Sequence, residues 1–155
     1  MDRKKFKKIV ITIALIGAFL TFGTGIKNSH ADTYIDNAAL YATIGAYYQG
    51  LAEYLAGYSL YYNDVSSMYD AYGWYDGSTV YAYNAAIYAL NSSVYYAYDA
   101  YLYAYAAYEV LANATYYAYY SWYYSDAGYA YLSQYYAGAG AYYIAYAIYY
   151  AGVLY

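Results

Sequence analysis

From Ala82 onward a small residue returns at every third or fourth position: Ala86, Ala89, Ser93, Ala97, Ala100, Ala104, Ala107, Leu111, Ala114, Ala118, Ser121 and Ser125. Only Leu111 departs from Ala or Ser in that series. Steps of three and four keep to one face of an α-helix. Ala is also the best helix former, and the chain contains no Pro to interrupt it. Tyr favours strands, but alternations such as Tyr101-Leu102-Tyr103-Ala104-Tyr105 end within a few residues. The pattern predicts an all-α protein: an antiparallel bundle of three or four Tyr/Ala-rich helices, closely packed along their Ala seams.

The same design occurs earlier. Ala38, Ala42, Gly45, Gln49, Ala52, Ala56 and Ser59 form a small-residue stripe, while Leu40, Ile44, Tyr47, Leu51, Leu55, Tyr58 and Tyr62 occupy a different face. Helices are expected at about 33–62, 79–125 and 128–155. Asn63-Asp64 ends the first. Asp70 to Thr79 carries Gly73, Asp76, Gly77 and Ser78 and reads as the main loop, with Ser78 or Thr79 as the next N-cap. Asn91-Ser92-Ser93 and Asn113-Ala114-Thr115 are caps able to break the long middle segment, and Gly138 and Gly140 are points where the last helix can kink. Ser125-Asp126-Ala127-Gly128 reads as a turn.

Charge is distributed just as unevenly. Arg3, Lys4, Lys5, Lys7, Lys8, Lys27 and His30 are all the basic residues and the only His, and they lie within residues 1–31. This basic start precedes an apolar run from Ile9 to Phe22, 14 residues long. That is too short for a spanning helix of about 20 residues and right for a signal core of about 7–15. Ser29-His30-Ala31 places small residues at the −3 and −1 positions, so residues 1–31 are expected to be a secretory signal peptide cut after Ala31. Residues 32–155 then form a single secreted domain with no Cys for a lipid anchor or a disulfide.

Ten acidic residues less Asp2 leave nine in that domain, opposed by no basic side chain. Nucleic-acid phosphates and anionic membrane surfaces would find nothing to pair with. Absence of Lys, Cys and His beyond residue 31 rules out serine and cysteine triads, Schiff bases and His-based zinc sites there. A carboxylate-only hydrolase is the one enzyme class left, with Asp99 and Glu109 as the tempting pair. Ten residues apart on one helix, those two acids would stand roughly 15 Å from each other. Glu109 also falls in a series of bulky residues, Tyr81, Tyr88, Tyr95, Leu102, Tyr116 and Tyr123, at seven-residue intervals. It reads first as a surface Glu and second as a buried acid. Asp64, Asp70 and Asp76 read first as turn and cap residues and second as oxygen ligands for Ca²⁺. The expectation is a non-enzyme without metal or cofactor.

All 37 Tyr follow residue 31. That is too many rings for one small core, so phenols must cover much of the surface. Phenols stack, donate hydrogen bonds and undergo one-electron oxidation. Tyr69, Tyr72 and Tyr75 in the expected loop, and Tyr155 at the C-terminus, are the candidate sites of oxidative coupling. The first functional reading is a structural or assembly protein that associates with itself or with a cell surface or matrix and is fixed by Tyr coupling. A β-rich fibre is its minority form. The alternative is an extracellular binding module whose aromatic surface takes up carbohydrate or an apolar small molecule.

Overall fold

A computed structural model of the chain describes residues 32–152. The expected signal peptide, its cleavage after Ala31, and Tyr155 lie outside the described residues. Four helices follow in order: α1 Thr33–Tyr62, α2 Ser67–Leu90, α3 Ala97–Tyr124 and α4 Ala127–Gly152. Short connections reverse the chain between them, as in an up-and-down bundle. Helix α1 packs on α2, α2 on α3 and α3 on α4, and α4 closes back onto α1. The fold is an all-α bundle.

The small-residue stripes are the seams. In α1, Ala38, Ala42, Gly45, Gln49, Ala52, Ala56 and Ser59 are all buried. In the longer series, the Ala, Leu111 and Ser121 positions from Ala82 to Ser121 are buried. The two exposed members, Ser93 and Ser125, stand where the chain turns. The core is therefore mostly methyl groups, filled by Ile35, Met68, Tyr75, Leu111 and Ile144. Ala seams bring backbones close, and serines use that closeness. Ser78 Oγ on α2 donates to the Gly45 carbonyl on α1 at 2.8 Å. Ser133 Oγ on α4 donates to the Ala114 carbonyl on α3 at 2.8 Å. A hydroxyl that reaches a neighbouring helix's carbonyl is buried without losing its partner.

The helix ends have identifiable causes. Asp32 Oδ1 accepts from the Tyr34 N–H at 3.0 Å and caps α1. The other oxygen, Oδ2, accepts from the Ser93 N–H at 2.7 Å, tying the start of α1 to the α2–α3 turn. Asn63 and Ser125 end α1 and α3 in the left-handed region, with φ of 52° and 53°. Asn tolerates that conformation well. Ser125 is held there by its N–H bonds to the Ser121 and Trp122 carbonyls, while Ser121 Oγ donates to the Asp126 carbonyl at 2.9 Å.

Several expected boundaries are corrected. Residues 70–79 are not a loop: they lie inside α2, which starts at Ser67. Gly73 and Gly77 each cost about 1 kcal/mol of helix propensity, but Met68, Ala71, Tyr75 and Ser78 are fully buried on the same helix. Packing of that face overrides propensity. Ser78 and Thr79 are accordingly seam residues in mid-helix, and Thr79 Oγ1 donates back to the Tyr75 carbonyl at 2.8 Å. The 79–125 segment does break at the first of its two expected caps, Asn91-Ser92-Ser93, with helices parted at residues 91–96. No break occurs at Asn113, whose side-chain amide donates to the Glu109 carbonyl at 3.1 Å within α3. Helix α4 runs continuously through Gly138 and Gly140.

Candidate functional site

Since the seams need small side chains, the tyrosines are displaced outward. Tyr47, Tyr61, Tyr98, Tyr123, Tyr131, Tyr135, Tyr142 and Tyr149 are more than half exposed. Of the Leu40–Tyr62 stripe of α1, Leu40, Tyr47, Tyr58 and Tyr62 are exposed, while Ile44, Leu51 and Leu55 are half-buried. Apart from Tyr131, these rings are not scattered singly. Along single helices they pair at four-residue spacing: Tyr58 with Tyr62 at 4.4 Å between ring centroids, Tyr116 with Tyr120 at 4.1 Å, and Tyr142 with Tyr146 at 4.8 Å. Such pairs stabilise a helix by roughly 0.2–0.5 kcal/mol each. Here they stand in for i,i+4 ion pairs, because residues 32–152 contain no Lys, Arg or His.

Across helices the rings stack. Tyr41 of α1 lies on Tyr88 of α2 at 5.1 Å. On the α3–α4 pair, Tyr103 lies nearly parallel to Tyr150 at 5.3 Å and 8°. Tyr117 stacks on Tyr136 at 5.5 Å and 12°. The most extended array sits at the end of the bundle formed by the start of α2, the end of α3 and the start of α4. Tyr69 meets Trp122 at 4.8 Å, Trp122 meets Tyr119 at 5.8 Å, and Tyr119 meets Tyr72 at 5.6 Å. From Tyr119 the contacts pass to Tyr120 and Tyr123, then to Tyr124 and Tyr129. They continue through Tyr117 and Tyr136 to Tyr135. A smaller array joins Trp74 of α2 to Tyr48 of α1 at 5.1 Å, edge to face.

Several phenols hold their protons more tightly than usual. A hydrogen bond with Tyr120, followed by desolvation, pushes Tyr116 up to about 12. Tyr142 is raised chiefly by its hydrogen bond with Tyr146, and Tyr81 by its hydrogen bond with Tyr48. The charge of Tyr41 is the main cause for Tyr88.

The four expected coupling residues part company. Tyr69 is exposed and Tyr72 half-buried, and their rings lie 6.1 Å apart within the extended array. Tyr75 is fully buried, so it is no surface coupling site. Its helical position, four residues after Ala71 and three before Ser78, puts it on the seam rather than in a loop. Trp74 faces Tyr48 and belongs to the other array. The rings missed in the sequence, Tyr119 and Trp122, come from the end of α3. Only the pairing of α2 with α3 reveals them.

No three acids among the described residues come together as a group able to hold a metal ion. Glu109 is on the surface of α3. Asp64 is lowered chiefly because its carboxylate accepts the Ser66 N–H, at 3.0 Å, just before α2. A buried polar knot does exist. On α1, Gln49 Nε2 donates to Glu53 Oε1 at 3.1 Å and also to the Ala137 carbonyl of α4. Burial raises Glu53, and the Gln49 bond opposes that shift only in part. Nearby on α2, burial and the Glu53 charge push the Tyr75 phenol far above its ordinary range. Gln49 Oε1 and the Tyr75 hydroxyl have no hydrogen-bond partner. Gln49 and Tyr75 are buried, while Glu53 is half-buried.

No helix of the described residues is long and apolar enough to cross a membrane. No protein-family model matches the chain, and no curated protein or solved structure matches it.

Proposed function

We propose that this chain is an exported, non-enzymatic assembly protein that self-associates through its Tyr-rich faces and is fixed by oxidative coupling of exposed tyrosines. One observation carries the reading: the molecule is inverted in size, with Ala inside and phenol rings outside. Exposed aromatic surface of that extent is costly to leave in water and is characteristic of surfaces that meet a partner. Each phenol supplies both a flat apolar face and a hydroxyl, which suits association without charge pairing.

Export is proposed from the basic start, short apolar run and Ser29-His30-Ala31 of the sequence. The exported chain should begin at Asp32 and resist trypsin, since no Lys or Arg follows. Intact-mass measurement on chain recovered from culture medium tests this. Sedimentation velocity over a range of concentrations tests assembly. Concentration-dependent oligomers are expected. A discrete monomer throughout would overturn the assembly reading and leave the aromatic binding module in its place.

A further inference from the structure

The extended array has a bottleneck. Trp122, Tyr69 and Tyr72 touch one another's neighbourhood, but among the described residues only Tyr119 connects them to the remaining rings. Beyond Tyr119, ring-to-ring contacts lead to Tyr123, then Tyr124, and eventually Tyr135. We propose that the array is an oxidation relay, in which a radical formed at Trp122 crosses Tyr119 and reaches the exposed rings Tyr123, Tyr124 and Tyr135, where two chains couple. This deepens the coupling reading above and rests on it.

The chemistry balances with a one-electron oxidant of the peroxidase–peroxide class. Trp122, itself partly exposed, gives up one electron, and its indole N–H proton leaves to water. The indolyl radical is a stronger oxidant than a phenoxyl radical at neutral pH. It therefore takes an electron from an adjacent Tyr, regains a proton, and leaves a neutral phenoxyl radical after that Tyr loses its phenolic proton. Contact between successive rings allows the vacancy to hop. Phenoxyl radicals on two chains join through ring carbons ortho to oxygen. Each carbon then loses its hydrogen as a proton and each oxygen regains one. In sum, two tyrosines and one peroxide give one dityrosine and two waters.

The competing expectation is that coupling follows exposure alone. Tyr95 is 85 % exposed and Tyr131 64 %, against 73 % for Tyr135 and 60 % for Tyr123. Exposure alone therefore places Tyr95 first and Tyr131 level with the proposed exits. Tyr131 stacks on no ring of the described residues, and Tyr95 meets only Tyr96. The relay predicts that both are poor coupling sites when oxidation enters at Trp122.

The test defines the point of entry. The purified chain carrying Trp74→Phe retains Trp122 as its one Trp. Radiolytically generated azide radicals oxidise Trp in preference to Tyr, and dityrosine is then mapped by peptide mass spectrometry. Crosslinks are expected at Tyr69, which touches Trp122 directly, and across Tyr119 at Tyr123, Tyr124 and Tyr135. Adding Tyr119→Phe keeps the ring and removes the oxidisable phenol, and helical circular dichroism should be retained. Ring contacts from Trp122 then lead only to Tyr69 and Tyr72 among the described residues. Crosslinks should then concentrate at Tyr69, with a severalfold fall at the three exits beyond Tyr119. A map ordered by exposure and unchanged by Tyr119→Phe would overturn the relay and leave the coupling reading standing. Absence of dityrosine in the parent, despite measured Trp oxidation, would overturn both.

Discussion

Gly138 and Gly140 lie two residues apart in α4 and should respond oppositely to the same substitution. A Cβ at Gly138 would meet nothing within 4 Å. Gly138→Ala therefore gains only helix propensity, about 1 kcal/mol of stability. A Cβ at Gly140 would stand 2.7 Å from both Cγ and Cδ2 of Leu111 on α3. Leu111 is fully buried, so its branched end has little room to retreat. Overpacking of that kind costs about 2 kcal/mol. Set against the same propensity gain of about 1 kcal/mol, Gly140→Ala should be destabilising by roughly 1 kcal/mol. The two variants should thus differ by about 2 kcal/mol, or ~8 °C in melting temperature at ~4 °C per kcal/mol for a domain of this size. Thermal and urea unfolding followed by circular dichroism measures both. In a Leu111→Ala background the clash disappears, so Gly140→Ala should turn stabilising, a coupling that a double-mutant cycle reads directly. If Gly140→Ala stabilised the parent as much as Gly138→Ala, α4 would not be seated on Leu111 and the proposed seam would be wrong.

Other expectations concern the polar groups. Glu53 is raised by burial, so its contribution to stability is present below the unfolded value near 4.5 and is lost as pH rises through the higher folded value. Unfolding by urea across that range should show Glu53→Gln flattening this fall and stabilising the neutral-pH protein. Asp32 has the opposite sign: burial tends to raise it, but bonds from the Ser93 and Tyr34 N–H groups prevail and lower it. Its contribution is present above the unfolded value and is lost as pH falls through the folded one, so Asp32→Ala should cost about 1 kcal/mol at neutral pH, through the lost cap, and less in acid. Tyr75→Phe removes a buried hydroxyl that has no partner and should stabilise by about 1 kcal/mol in chemical denaturation. Nine acids without a basic partner repel between copies, so light scattering should rise as pH is lowered from 7 towards 4.

The fold was legible because one physical requirement repeats. Close helix packing needs small side chains at one helical spacing, and this sequence writes that spacing in Ala and Ser over most of its length. The misreading at 70–79 shows where local signals fail. Gly73, Asp76, Gly77 and Ser78 individually favour a turn, yet Met68, Ala71, Tyr75 and Ser78 continue the α2 seam backwards from Ala82. The stripe was present there too. It was obscured because Met and Tyr fill positions that Ala fills elsewhere. Local propensity differs by about 1 kcal/mol per glycine, and several buried side chains outweigh it.

The candidate site was legible only in kind. Composition alone requires phenols outside, since an Ala seam has no room for them. Which rings touch depends on helix pairing, and that depends on where the chain turns. Shifting the helix start from 79 back to Ser67 makes α2 a full neighbour of α3 and brings Tyr69 and Tyr72 against Trp122 and Tyr119. The same shift takes Tyr75 out of reach by turning it inward. Three tyrosines at three-residue spacing looked equivalent in a loop. On a helix, successive steps of three rotate each ring by about 60° short of a full turn, so Tyr69 faces solvent, Tyr72 lies at the boundary and Tyr75 faces the core. A single helical assignment thus separates one exposed ring from one buried ring. It also replaces a guess about mobility with a specific contact, Trp122 to Tyr119, that a single Tyr→Phe substitution can interrupt.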